Sequence, residues 1–188
     1  MNIIYINLDK RTDRKKHIES LFPNAVRFPA IVDERGGYFG CVRSHIECLK
    51  LAKENNYDKV IILEDDFIYK DNRTLESMIL PDKFNMLLLS NIVSADDTEP
   101  YDMYFDRVFK AQWTSGYCVD VSFYDTLIKT FEESLNQLSK NYCRNNYLDI
   151  YWNKIFKTNL VLKHKKILGG QLPNNYSDIR NEIFNRKN

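Results

Sequence analysis

Apolar residues in this chain follow two rhythms: short continuous runs, and longer stretches with an apolar position every three or four residues. Residues 3–8 and 60–63 are runs of the first kind, rich in β-branched types and too short to cross a bilayer, so each reads as a strand buried on both faces. Residues 25–32, 84–89 and 160–168 read as further strands, with 104–110 as a strand or hairpin arm and 113–119 leading into another. Helical spacing predicts a helix starting at Thr12 or Asp13 that buries Ile18, Leu21 and Phe22. A second, over 40–55, buries His45, Cys48, Leu49 and Ala52, and a third, over 122–138, is capped by Ser122 and buries Leu127, Phe131 and Leu135. Shorter helices are expected over 72–80, ended by Pro81, and over 148–156. Residues 94–102 read as a mobile acidic loop and 169–179 as a loop leaving the sheet. Strands interleaved with helices, without repeat or linker, predict one α/β domain over residues 1–188.

The run 60–63 is followed at once by Glu64, Asp65 and Asp66. Ligands of open α/β sheets bind at the carboxyl ends of strands, where these acids would sit. Three adjacent carboxylates repel one another unless a cation or hydrogen-bond donors neutralise them, and a hard divalent metal suits oxygen ligands. Acids after a strand also begin ordinary solvated loops, so the triplet alone leaves both readings open. The strand at 3–8 runs through Asn7 and Leu8 into a polar turn and a helix start. Free backbone N–H groups there suit an anion, and Arg11 and Arg14 offer bidentate donors to a phosphate or simply a solvated basic face. Asp33 ends the second strand, Ser44 and His45 open the helix expected to face the acidic strand's exit, and Gly116 sits where backbone approaches a ligand closely or a strand bends. A histidine on an apolar face is more often a satisfied core residue than a ligand.

Composition narrows the classes. At 44% hydrophobic and 28% charged, 188 residues match a globular protein with a real core. A net charge of +1 removes the electrostatic argument for nucleic acid or an anionic membrane. No signal peptide or membrane span is legible, and Cys41, Cys48, Cys118 and Cys143 lack zinc-finger spacing, so reduced thiols and a cytoplasmic location are expected. Cys41 and Cys48, two helical turns and about 10 Å apart, are too distant for a disulfide.

Five segments in order, I-N-L-D-K-R-T-D-R at 6–14, G-C-V-R-S-H at 40–45, I-L-E-D-D at 62–66, W-T-S-G-Y at 113–117 and Q-L-P-N-N-Y-S-D-I at 171–179, resemble glycosyltransferase family 25. That group includes lipooligosaccharide and collagen galactosyltransferases and viral enzymes. The resemblance implies a GT-A type, Rossmann-like α/β fold with a mixed, mostly parallel sheet flanked by helices, its donor-binding part about 1–120 and its acceptor side about 121–180. It further implies an inverting transferase that uses a nucleotide sugar, usually a UDP-hexose, and a divalent cation, usually Mn2+ or else Mg2+. By position, Glu64 and Asp66 become metal ligands in an E-x-D form of the D-x-D motif, while Asn7, Leu8, Arg11, Arg14, Asp33, Ser44 and Asp65 line the donor cleft. The acceptor would be a hydroxyl of a glycan or glycoprotein. Asp149, set among Tyr147, Tyr151 and Trp152, is the expected catalytic base, with Asp178 its competitor. The chain is shorter than typical members and lacks an obvious acceptor-binding extension. Two other classes stay open: a non-catalytic binding module on the same fold, and a metal-dependent phosphoesterase or nuclease.

Overall fold

The computed structural model describes residues 1–70, 75, 78–173, 175–179 and 182–184. In chain order the elements are β1 (Asn2–Asn7), α1 (Thr12–Leu21), β2 (Val26–Pro29), α2 (Gly37–Glu54), β3 (Lys59–Glu64), β4 (Phe67–Tyr69), β5 (Met86–Ile92), β6 (Thr98–Pro100), β7 (Phe105–Val108) and β8 (Gln112–Asp120). They continue with α3 (Tyr124–Lys140), α4 (Leu148–Tyr151), α5 (Asn153–Phe156), β9 (Val161–His164), β10 (Gly169–Gln171), β11 (Asn175–Ser177) and β12 (Glu182–Phe184). Eight strands form one sheet in the order β2-β1-β3-β8-β5-β9-β7-β6. The α/β class with a mixed sheet flanked by helices is thus as expected. Parallel pairing joins β2 to β1, β1 to β3 and β5 to β9, while β8 runs antiparallel to both β3 and β5.

The apolar runs explain why this sheet is central. Along β1, Ile4 and Ile6 point into one core while Ile3 and Tyr5 point into the other. Along β3, Val60 and Ile62 face one side and Ile61 and Leu63 the opposite one. A period of two with apolar residues in both phases leaves no solvated face, so helices must cover both sides. On one side α2 and α3 pack with Val42, Ile46, Leu49, Leu127 and Phe131, joined by Trp152 and Phe156. On the other, α1 contributes Ile18, with Phe22 and Phe67 beside it.

Several local expectations are corrected. Arg11, not Thr12 or Asp13, caps α1, without a side-chain bond, and Leu21 is exposed rather than buried. The second strand is only four residues long, and the fifth starts and ends later than its apolar run. Residues 94–102 contain β6, which pairs with β7, because Thr98 and its neighbours can add to an open sheet edge despite their polarity. Asp120, not Ser122, caps the turn before α3, accepting from the Ser122 amide at 3.1 Å. The helix over 148–156 is broken in two at Trp152. Residues 169–179 hold β10, paired with β4, and β11, paired with β12. Of the helix expected over 72–80, residues 72–74, 76 and 77 lie outside the described residues, and 78–80 are not helical.

Two glycines are set by packing. A Cβ on Gly40 would come 2.3 Å from the Ile31 carbonyl oxygen, so only glycine lets α2 lie against the chain after β2. A Cβ on Gly116 would meet the Phe67 ring at 2.6 Å, so this glycine admits an aromatic ring rather than a ligand. Among the described residues, no helix is long and apolar enough to cross a membrane.

Candidate active site

From β1 the chain moves to β2 on one side, then crosses back to β3 on the other. Such a reversal opens a crevice at the carboxyl ends of the parallel strands. The register sets Ile6 opposite Glu64, which brings the β1 turn and the three acids to one edge. There lies a cavity of about 560 Å³, within the usual range for small-molecule sites. Leu8, Arg14, Asp33, Ser44, Glu64, Asp65, Asp66 and Asp178 all line it.

The acids have different surroundings. Asp65 is buried, accepting from Asn7 Nδ2 at 2.7 Å and from Arg14 Nη1 at 3.0 Å. Both its oxygens are therefore engaged inside the protein. Asp66 accepts from Gln171 Nε2 at a long 3.3 Å, and its backbone carbonyl accepts from the Leu172 amide. Gln171 Oε1 is buried without a hydrogen-bond partner among the described residues. An orphaned amide oxygen on the side chain that meets Asp66, in a cavity that Glu64 also lines, makes an oxygen-rich donor set, which fits a hard divalent cation. Glu64 accepts from Thr114 Oγ1 at 2.8 Å and lies 3.6 Å from His45 Nε2.

The remaining expected site residues divide between the lining and what stands behind it. Asn7 donates to the Arg11 carbonyl as well as to Asp65, tying β1 to the start of α1. Arg11 is held by Asp13 and by Asp178, whose Oδ2 is 2.6 Å from Nη1. Arg14 bonds the Tyr176 carbonyl as well as Asp65. Asp33 is held by Arg35 and Arg43, and Arg35 above all keeps its carboxyl well below the usual range. The Ser44 hydroxyl bridges the Ile31 amide and the Gly40 carbonyl, fixing the same close approach that Gly40 permits.

The two candidates for the base differ in their affinity for a proton. Burial raises the Asp149 carboxyl above its ordinary value, and the nearby charge of Glu64 adds to that, against an opposing bond from the Trp113 amide at 3.2 Å. Burial also acts on Asp178, but Lys10 and Arg11 outweigh it and hold that carboxyl low. Trp113, the donor to Asp149, has φ of 72°, a left-handed conformation that costs a bulky residue of order 1–3 kcal/mol. That strain lies beside the carboxylate in question.

A family model described as glycosyltransferase family 25 (LPS biosynthesis protein) matches residues 36–148. The chain belongs to glycosyltransferase family 25. It is a glycosyltransferase, and the matched segment carries Asp33's partner Arg43, all three acids and Thr114, and ends one residue before Asp149. Among solved structures, a glycosyltransferase involved in the glycosylation of the major capsid of PBCV-1 shares the fold at a TM-score of 0.53. The two are 12% identical, over 90% of this chain and 92% of that one. A197 from STIV gives a TM-score of 0.45 at 10% identity, over 87% and 81%. A comparison with curated proteins returns no match.

Three residues of this family 25 site escape a sequence reading. Thr114 binds Glu64 across fifty positions, and Gln171 meets Asp66 across more than a hundred. Neither pairing has a local signature. Cys41 does have one: it precedes His45 by one helical turn, so both sit on one face of α2, the face turned to Glu64.

Proposed function

We propose that this family 25 enzyme moves a hexose from a UDP-linked donor to a hydroxyl of a glycan or protein-linked acceptor, with inversion. The observation that carries the reading is the pair of carboxylates, Glu64 and Asp66, lining the cavity at the strand-order reversal together with Gln171, whose amide, its oxygen orphaned, meets Asp66. Glu64 and Asp66 would hold Mn2+ or Mg2+ there. Bound at that point, the cation would supply Lewis-acid stabilisation of the charge left on the departing diphosphate.

The protein's own residues do the rest. Asn7 and Arg14 fix Asp65, and through it the turn that presents Glu64 and Asp66 to the cavity. Thr114 orients the Glu64 carboxylate from β8. Leu8 and the chain before Asp33 offer apolar and backbone surface for a nucleoside. Asp149 takes the proton from the acceptor hydroxyl; a carboxylate whose proton affinity is raised by burial suits that role better than Asp178, which is neutralised by two cations. The Trp113 amide keeps Asp149 oriented. The test is a panel of nucleotide sugars, with and without Mn2+, scored for transfer and hydrolysis. Turnover of a UDP-hexose that stops in EDTA and in Asp66→Asn is the expected result. Undiminished turnover in either would remove the metal assignment.

A further inference from the structure

A second donor set adjoins the acids. Cys41, His45 and Glu64 each offer one ligand atom, and the three atoms lie within 4.8 Å of one another. His45 is 1% exposed, and its Nε2 has no hydrogen-bond partner among the described residues, although it faces Glu64 Oε1 at 3.6 Å. A buried polar nitrogen left unmatched is uncommon in a folded core and calls for an explanation. The other ring nitrogen is fully engaged: Nδ1 lies 2.8 Å from the Tyr117 hydroxyl. If Nδ1–H donates to that oxygen, the Nε2 lone pair points at Cys41 and Glu64. An outer hydrogen bond of this kind is what fixes the tautomer of a metal-bound histidine.

We propose that Cys41, His45 and Glu64 form a three-ligand site for zinc or a similar borderline divalent ion, with its fourth position open to the donor cavity. A tetrahedral ion with bonds of about 2.0–2.3 Å needs ligand atoms roughly 3.3–3.8 Å apart, close to the separation seen between His45 and Glu64. Thiolate and imidazole ligands select zinc over manganese or magnesium, which favour oxygen alone. Cys41 and His45 lie one turn apart on α2 and Glu64 ends β3, so the ion would pin the first turns of that helix to the strand carrying the acids. Glu64 belongs to both sets, whereas Cys41 and His45 belong only to this one and Asp66 only to the other. The inference does not rest on the donor-cation reading of Glu64 and Asp66.

The experiment titrates the metal-stripped full chain with Co2+ alone, followed by absorption, then with Zn2+ in competition. One equivalent of Co2+ should bind with a thiolate-to-cobalt charge-transfer band and the intense visible bands of a four-coordinate ion, and Zn2+ should erase both. Cys41→Ser should remove the charge-transfer band and weaken binding by at least about a hundredfold, the upper end of the 10–100-fold cost of losing an outer partner. Asp66→Asn should leave both features intact. Should Cys41→Ser fail to fold, alkylation of the wild-type chain read by mass spectrometry replaces it: Zn2+ should protect Cys41 and leave Cys143 reactive. Absence of the band in wild type, its persistence in Cys41→Ser, or equal alkylation of Cys41 with and without Zn2+ would overturn the proposal.

Discussion

The two walls of the cavity hold their acids differently. On the β1 side, ion pairs and hydrogen bonds join Asn7, Arg11, Arg14, Asp65 and Asp178, so that both acids are paired with cations, although Arg14 Nε stays buried and unmatched among the described residues. On the α2 and β10 side, His45 Nε2 and Gln171 Oε1 are buried and unmatched among the described residues, beside Glu64 and Asp66. An acid locked by its own cation is held by the protein, whereas an unmatched polar group beside an acid calls for an explanation, and a bound ligand is one. Proximity to a cavity does not by itself make a residue a ligand contact.

The largest effect that could break this contrast lies in the cation-paired wall. Arg14→Ala leaves the Asp65 carboxylate buried without its cation, and removing one member of such a pair costs about 3–5 kcal/mol. Chemical denaturation should show that loss. A stability change below about 1 kcal/mol would mean that Arg14 is held for a phosphate instead. Arg11→Ala, by the same logic, should change UDP affinity in calorimetry by less than the about 1.5–3 kcal/mol that a bond to a charged ligand contributes.

On the catalytic side, Asp149→Asn should preserve UDP binding while transfer falls by at least about a hundredfold, the lower range for losing a general base. Transfer near the wild-type rate would dismiss Asp149. A smaller effect belongs to the packing between the walls. Gly116→Ala must push a methyl group into the Phe67 ring and should cost about 1–3 kcal/mol in denaturation, with donor affinity unchanged. Reduced donor affinity at wild-type stability would restore the ligand-approach reading of that glycine.

How far the sequence could be read follows the same division. The sheet was legible because β1 and β3 are apolar in both phases of their alternation, which only two covered faces can explain. Glu64 to Asp66 were legible because three adjacent acids after such a run are chemically conspicuous. Their separate fates were not. Asp65 lines the cavity with its oxygens engaged by Asn7 and Arg14, residues more than fifty positions away, and no local pattern encodes that pairing. Residues 94–102 and 169–179 were misread as loops because short edge strands draw their order from a neighbouring strand rather than from their own propensity.

The smallest predicted effect concerns pH. Asp149 binds its proton more tightly in the folded chain than in the unfolded one. Between the ordinary carboxylate value and the raised one, the folded state therefore holds more protons, and this group's contribution to stability falls as pH rises. The melting temperature of Asp149→Asn, measured against wild type, should accordingly gain as pH rises through that window and then level off. Asp178, held low, acts in the opposite sense: the stability it contributes is present above the ordinary value and lost on acidification. A difference between Asp149→Asn and wild type that does not vary with pH would show Asp149 to be solvated.

The central claim is that Glu64 and Asp66 are kept for a cation that carries the donor's diphosphate. Its most direct test is calorimetric titration of UDP into wild type and Asp66→Asn, each with Mn2+ and with EDTA. The account predicts tight binding only for wild type with Mn2+, and loss of that binding in the other three conditions. Equal UDP affinity for wild type in EDTA, or for Asp66→Asn with Mn2+, would contradict it.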